Sequence, residues 1–357
     1  MSHTSTENNS FSNILLKWYQ IHKRDLPWRN TKSPYLVWLS EVILQQTRVA
    51  QGLPYYNAFS TQYPSVELLA AASQDEVLRL WQGLGYYSRA RNMHNTAKQI
   101  VNEHNGFFPD SYSGLLKLKG IGPYTAAAIA SFCYQEKVAV VDGNVYRVLA
   151  RVFGETTDIS TGTGKKTFQN LADKLINKQQ PDIHNQSIME FGALHCTPKN
   201  YQCGTCPLAT TCVANISESQ HLLPVKTKKL TIKQRNLNYL VFVKEEKIFL
   251  KQRHDNDIWA GLFDFFEIET THENNIENIL ENQFLDELKS NISTISEPYI
   301  LQHILTHQKI KAFFYIVTLN ENFSDKSLTN GKFYNISEIE NLAKPVLISN
   351  FLNKYFS

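Results

Sequence analysis

Four of the five cysteines in this 357-residue chain fall within 17 residues, spaced Cys196-x6-Cys203-x2-Cys206-x5-Cys212. Nothing else restricts the fold as strongly, because four thiols in so short a loop are cross-linked or shared by a metal centre, with chance clustering as the plainer reading. The first ten residues, MSHTSTENNS, have neither a basic flank nor an apolar core, so they are not a signal peptide. No apolar run approaches the roughly 18–20 residues that a membrane span needs. The expectation is a soluble, cytoplasmic protein, and in a reducing compartment disulfides are rare. The thiols then read as ligands. Four thiolates can hold tetrahedral zinc or a cubane iron–sulfur cluster, and the spacing alone leaves both open. The fifth, Cys133 in AAAIASFCY, reads as helix packing.

The chain is 42% hydrophobic and 19% charged, too apolar for disorder and too long for one core, so two or three domains are expected. Helical periodicity covers 11–24, 35–47, 66–82, 88–104, 112–119, 123–134, 143–153, 165–178 and 185–195. Periodicity is lost over 214–232, which reads as a linker. Beyond it the texture becomes α+β: a strand, polar turn and strand over 236–253, a helix over 274–290 and a strand over 309–319. Charge divides the same way. Residues 1–232 hold 23 Lys and Arg against 16 Asp and Glu, and the remainder 13 against 17. A basic front part suits a polyanion, although a solubilising surface explains it as well.

Two further patterns carry chemistry. In LLKLKGIGPYTAAAIASF, residues 115–132, a short helix ends at Gly120 and a small-residue helix starts at Pro123, after Gly122. Glycines admit a phosphate close to the backbone, and amides at a helix start attract it. This is a helix-hairpin-helix, a sequence-independent clamp on a DNA backbone, with an ordinary packing junction as the plainer reading. The other pattern is a pair of carboxylates. Glu41 lies in PYLVWLSEVILQQ beside Val37, Trp38, Leu44 and Gln45, where an apolar setting should raise its pKa and make it a general acid. Only Ser40 supports the alternative of a solvated stripe. Asp142, in VAVVDGNVYRVLAR, would by itself be a helix N-cap. Beside Glu41 it supplies the second carboxylate that N-glycosidic chemistry requires.

SEVILQQT, WQGLGYYSRARN, LKGIGPYTA, VVDGNVYRV and the four-cysteine loop occur in the order found in the helix-hairpin-helix DNA glycosylases. Residues 11–215 closely resemble the adenine DNA glycosylases of the MutY family. The resemblance implies a mainly α front part, a six-helix barrel beside a cluster domain, gripping double-stranded DNA. It also implies a [4Fe–4S] cluster on Cys196, Cys203, Cys206 and Cys212. Related bifunctional endonuclease III-type enzymes carry a lysine in the hairpin where this chain has Tyr124, so no amine is available for a Schiff base. That points to a monofunctional glycosylase. Lys119 stands where the family usually has proline and reads as a phosphate or surface residue.

By the same resemblance Glu41 protonates adenine N7, Asp142 stabilises the sugar cation, and Tyr124 and Asn144 support the step. The adenine pocket falls to Arg24, Trp28, Arg29, Leu44 and Gln186. DNA contacts fall to Gln46, Thr47, Leu84, Tyr86, Gly120, Gly122 and Thr125, the flipped base leaving the stack. Tyr87 reads equally as core or site.

The expected division is a catalytic region over 1–213 with the cluster loop at 196–212, a linker over 214–232 and a MutT/Nudix-like lesion-recognition domain over 233–357. In that last part HDNDIWAGLFDFFE resembles the family's G-x-W-x-G-L-W-E-F-P stretch, departing at Ala260 and Phe266. Leu305, Thr306 and His307 fall where the family has Phe-Ser-His; Leu305 loses the ring and Thr306 keeps the hydroxyl. Residues 273–290 lack the R-E-x-x-E-E carboxylates that bind magnesium in Nudix hydrolases, so no nucleotide hydrolysis is expected. The implied substrate is adenine opposite 8-oxoguanine or guanine, handled by a monomer in a bacterial cytoplasm. The alternatives are an endonuclease III-like lyase and a DNA-binding relative that has lost catalysis.

Overall fold

The computed structural model describes residues 3–228, 231–254, 257–272, 276, 279, 286–324, 328 and 330–356. Two compact units result. One joins Met1–Ala71 to Asn95–Lys229, and the other joins Ala72–His94 to Leu230–Ser357.

The first unit is helical, as the periodicity indicates. Helices at Pro123–Tyr134 and Gly143–Phe153 coincide with expectation. Others differ for local reasons. The 35–47 segment is helical only over Pro34–Leu44, because Gln46 takes a left-handed conformation with φ of 54°. A helix at Val49–Gln62 was hidden by Gly52 and Pro54, which read as breakers. The 112–119 segment closes after one turn, Tyr112–Leu115. The later helices start earlier than expected, at Gly162–Leu175 after a Thr161 cap and at Pro181–Leu194. Within 214–232 the chain forms short helical pieces at Val213–Ile216 and Gln220–Leu222, and Asp158 then fixes Thr227 by side-chain and backbone bonds.

The core of this unit gathers Leu15, Leu149, Phe168 and Phe191 from four helices, all at most 1% exposed. At its polar centre is Asn185, also 1% exposed. Its amide donates to Ser131 Oγ and to the Val138 carbonyl, and its oxygen accepts from Val140 N. One buried side chain thus fixes the segment that leads into Asp142.

In the second unit the helix expected over 66–82 is interrupted. It becomes Val66–Ala71, in the first unit, and Gln74–Leu80, because Ser73 and Glu76 form a reciprocal capping box that starts a new helix. Among the described residues the sheet has eight strands: β1 Lys233–Lys244, β2 Lys247–Gln252, β3 Phe263–Asp264, β4 Phe266–Thr270, β5 Ile292–Ile295, β6 Tyr299–Ile304, β7 Gln308–Leu319 and β8 Gly331–Tyr334. The order is β3-β2-β1-β7-β5, with β4 on β1, β6 on β7 and β8 on β2. The β1–β7 pair is parallel and the others are antiparallel. β1 buries every residue from Leu237 to Phe242, the pattern of a strand covered on both faces. Phe351, on the helix Val346–Tyr355, stacks on Phe314 with centroids 4.2 Å apart. The helix expected over 274–290 lies outside the described residues apart from Ile276, Ile279 and the turn Asp286–Lys289.

Segment 72–94 is bound into this unit by polar contacts. Arg91 donates to the Ala260 carbonyl at 2.6 Å, and Gln252 donates to Asp75 at 2.9 Å. Leu305, Thr306 and His307 form the turn from β6 to β7, closed by Leu305 N donating to the Gln308 carbonyl at 2.8 Å.

Replacing Asn185 by alanine strands buried groups at Ser131, Val138 and Val140. Unfolding by urea should show a loss of about 3 kcal/mol or more, at roughly 1–3 kcal/mol for each of the three stranded groups. A loss below 0.5 kcal/mol would mean that segment 138–140 is held by other contacts.

Candidate active site

A cavity of about 560 Å³ opens among the helices of the first unit. Ten residues expected at the site line it: Arg24, Trp28, Arg29, Glu41, Leu44, Thr47, Tyr124, Asp142, Asn144 and Gln186.

Glu41 reaches it from the middle of Pro34–Leu44, started by Ser33 and Pro34. It is 8% exposed, and its helix neighbours Val37 and Trp38 are 2% and 1% exposed. Burial pushes its carboxyl up to about 7, and the charge of Asp142 adds to this. A hydrogen bond from Tyr124 and the Arg29 charge pull the other way. Near pH 7 such a group is shared between a proton donor and a carboxylate.

Asp142 is the N-cap of Gly143–Phe153, as its plainer reading anticipated. One oxygen accepts from the Asn144 and Val145 amides at 2.9 and 2.8 Å, and the other from the Asn144 side chain at 2.7 Å. Burial raises its carboxyl, while these three donors and Arg147 oppose the rise. Arg147 holds Asn144 in turn. Its guanidinium donates to Asn144 Oδ1 at 2.8 Å and to the carbonyls of Gly192 and Cys196, each at 2.7 Å. The two carboxylates therefore share a cavity but not an environment. Asp142 is surrounded by donors, and Glu41 by hydrocarbon.

The sequence reading missed Glu190, which is 1% exposed and lines the same cavity. Arg24 and Arg29 both clasp it, with contacts of 2.6–2.9 Å from five N–H groups. Burial would raise its carboxyl, but the two guanidiniums dominate and hold it down at about 2. Glu190 follows Gln186 by four residues on a helix with many apolar positions. A lone carboxylate in such a run was the signal that found Glu41, and it applied here too. The Tyr19 hydroxyl, also missed, donates to Gln186 Oε1 at 2.7 Å and leaves the Gln186 amide hydrogens for the cavity.

The DNA-contact residues scatter more widely. Gln46 is exposed, while Thr125 is 3% exposed and accepts a 3.5 Å bond from Gln45. Gly120 has a φ of 89°, which a side chain would resist, and Gly122 caps the helix that follows with no side chain in the way. In the second unit Leu84 is buried at 5%, whereas Tyr86 is exposed with a φ of 50°. Gly83, Gly85 and the Arg89 guanidinium over the Trp81 and Tyr86 rings hold that tip. Tyr87 is 4% exposed and belongs to the core. The Tyr86 hydroxyl donates to Thr306 Oγ1 at 2.6 Å, so two residues given separate roles from the sequence meet within one unit.

The four loop thiols are free of disulfides. Burial pushes the Cys206 thiol up to about 11, and the other three thiols add to that rise, so they stand close enough to feel one another. Among the described residues no three His, Cys, Asp or Glu side chains form a set that would hold a single metal ion. Arg151 donates to Cys196 Sγ at 3.4 Å, and His195 Nε2 and Thr197 Oγ1, on either side of Cys196, are buried without a partner among the described residues. Four thiols, a cation and stranded polar atoms suit an anionic, sulfur-rich group.

Residues 39–177 match the HhH-GPD superfamily of base excision DNA repair proteins, and residues 238–354 match the NUDIX domain. The adenine DNA glycosylase of Buchnera aphidicola subsp. Baizongia pistaciae is 33% identical over 355 residues, 96% of each chain. That of Mus musculus is 42% identical over 57% of this chain and 42% of its own. A thermostable thymine-DNA glycosylase covers 60% of this chain and 99% of its own at 26% identity, with a TM-score of 0.55. Endonuclease III in a non-covalent DNA complex shares the fold, at 22% identity over 61% of this chain and 99% of its own and a TM-score of 0.52. The chain belongs to the adenine DNA glycosylase family, hydrolases of N-glycosyl bonds in base excision repair.

Proposed function

We propose that the chain removes adenine mispaired with 8-oxoguanine, or with guanine, from double-stranded DNA, without cutting the strand. The observation that carries this reading is the shared cavity of Glu41, raised to about 7, and the donor-bound Asp142. Adenine leaves poorly as an anion. A flipped adenine entering the cavity takes a proton at N7 from Glu41 as the C1′–N9 bond breaks. The electron pair of that bond stays with the base, and the sugar becomes an oxocarbenium-like cation. Asp142 stabilises it by charge or by transient bonding at C1′, as the second carboxylate does in retaining glycosidases. Water completes hydrolysis. Tyr124 orients the Glu41 carboxyl, and Asn144 holds Asp142.

The remaining assignments follow the same reading. Arg24, Trp28, Arg29, Leu44 and Gln186 bound the adenine, with the Glu190 clasp keeping both arginines in place. Gln46, Thr47, Leu84, Tyr86, Gly120, Gly122 and Thr125 serve the DNA, and Leu305, Thr306 and His307 the lesion. Cys196, Cys203, Cys206 and Cys212 hold a [4Fe–4S] cluster, which when bound would brace the loop whose backbone Arg147 grips. The working division is 1–213, 214–232 and 233–357, in a cytoplasmic monomer. Among the described residues no helix is long and apolar enough to cross a membrane.

Single-turnover assays on a duplex with adenine opposite 8-oxoguanine test the chemistry. The acid must be protonated, so the rate should hold below pH 7 and fall towards tenfold per unit above it. Glu41→Gln should cost at least about 10²–10⁴-fold, the usual worth of a positioned acid. Strand breaks should appear only after alkali, with no borohydride-trapped adduct; a trapped adduct would make the protein a lyase. DNA binding with no adenine release from either pairing would leave only a DNA-binding relative.

Lesion reading has its own test. Thr306→Val and Tyr86→Phe should each lower the preference for 8-oxoguanine over guanine by about tenfold or more, one lost polar contact being worth roughly 1–3 kcal/mol. An unchanged preference in both variants would remove this turn from lesion recognition.

A further inference from the structure

Arg151 is 2% exposed, a cation almost wholly withdrawn from water. Among the described residues its partners are the carbonyls of Thr197 at 2.8 Å, Gln220 at 3.0 Å, Pro198 at 3.1 Å and Leu223 at 3.3 Å, with Cys196 Sγ at 3.4 Å. The Tyr201 ring lies 4.8 Å away beneath the guanidinium. None of these is a carboxylate. These acceptors satisfy its N–H groups but supply no counter-charge, and an anion beside a buried guanidinium would be held strongly. The Cys196 sulfur is the one partner able to become one. A second thiol meets the same residue at its backbone, with Cys212 Sγ donating to the Arg151 carbonyl at 3.3 Å.

Thr197 adds an independent observation. It follows Cys196 directly, its carbonyl is taken by Arg151, and its hydroxyl oxygen is buried with no hydrogen-bond partner among the described residues. A stranded hydroxyl is costly unless something accepts its proton. Arg147, one helical turn before Arg151, makes the contrast clear. It is also buried, at 8%, and feels Cys196 ahead of Asp142, but it reaches the Cys196 carbonyl and not the sulfur, and it serves the cavity through Asn144. Of these two arginines on one helix, it is Arg151 that donates to a thiol sulfur.

We infer that Arg151 and Thr197 form the electropositive wall of the thiol site, the guanidinium as counter-charge and the hydroxyl as a hydrogen-bond donor to sulfur, and that together they set the reduction potential of an iron–sulfur group held there. This rests on the cluster assignment above. A nearby cation and a donor to sulfur both favour the more negative redox state, so both raise the potential. They are positioning residues and do not line the cavity that holds Glu41 and Asp142.

The experiment uses the purified full chain with its iron retained. Iron and sulfide per chain are measured first, then the one-electron midpoint potential at an electrode, for wild type, Thr197→Val, Arg151→Lys and Arg151→Gln. Thr197→Val should keep full iron and shift the potential negative. Arg151→Gln should shift it further and lose iron faster to a chelator. Arg151→Lys, which keeps the charge but not the fork, should shift it least of the Arg151 variants. An unchanged potential in Thr197→Val and Arg151→Gln at full iron content would overturn the inference. Where Arg151→Gln does not fold, the isosteric Thr197→Val decides alone. A wild-type chain that binds zinc, or no iron, overturns the cluster assignment itself, and does so before any variant is compared.

Discussion

Helix Gly143–Phe153 is the frame on which the first unit's chemistry depends. Its N-cap is Asp142, its first turn carries Asn144, and Arg147 and Arg151 follow at one-turn intervals. Arg147 ties the Asp142–Asn144 pair to the Cys196 carbonyl, and Arg151 ties the helix to the residues after Cys196 and to the strap at 220–223. A helix is stiff along its axis, so fixing it at the thiol loop also fixes the carboxylate at its start. The buried guanidiniums do what hydrophobic packing could not, holding polar backbone from three separate segments against one element.

Against that fixed end, Glu41 acquires its character by contrast. Both carboxylates are withdrawn from water, but Asp142 has three N–H donors and Glu41 has one hydroxyl. Two carboxyls in one cavity cannot both ionise cheaply, and the better-solvated one keeps the charge. The Arg24–Glu190–Arg29 clasp extends the same economy. Glu190 is ionised and fully paired, so the arginines are turned away from Glu41 and do not quench its raised pKa beyond the modest pull of Arg29.

What could be read from the chain and what could not divide along the range of the interactions. Pro123 and the Asp142 cap announce their helices through neighbouring residues, and those boundaries were legible. Glu41 was legible because its apolar surroundings are its own helix neighbours. Glu190 shared the local signal that found Glu41, but its pairing was not legible, because its partners lie 161 and 166 residues away. Helix Val49–Gln62 was missed because Gly52 and Pro54 argue against it locally, while buried Tyr56 and Phe59 hold it in place. Segment 72–94 groups with the sheet through contacts such as Arg91 to Ala260, again at long separation. The hairpin from β1 to β2 was legible as strand, polar turn and strand from hydrophobic texture alone, although it turns on Glu245 and Glu246, both left-handed, without the usual glycine or asparagine.

Gly192, already met as an acceptor for Arg147, lies where Pro181–Leu194 passes Gly143–Phe153. A methyl group there would stand 2.7 Å from Asn144 Cβ and 3.0 Å from its carbonyl oxygen, distances that real Cβ atoms do not tolerate against backbone. Nothing at position 192 binds, donates a proton or contacts a base, yet its emptiness fixes how closely the two helices approach. Saturation mutagenesis scored by repair should show Gly192 as intolerant as Asp142, and no inspection of side-chain chemistry would find it. In this cavity the missing atom is as much a part of the catalyst's geometry as the carboxylate it lets into place.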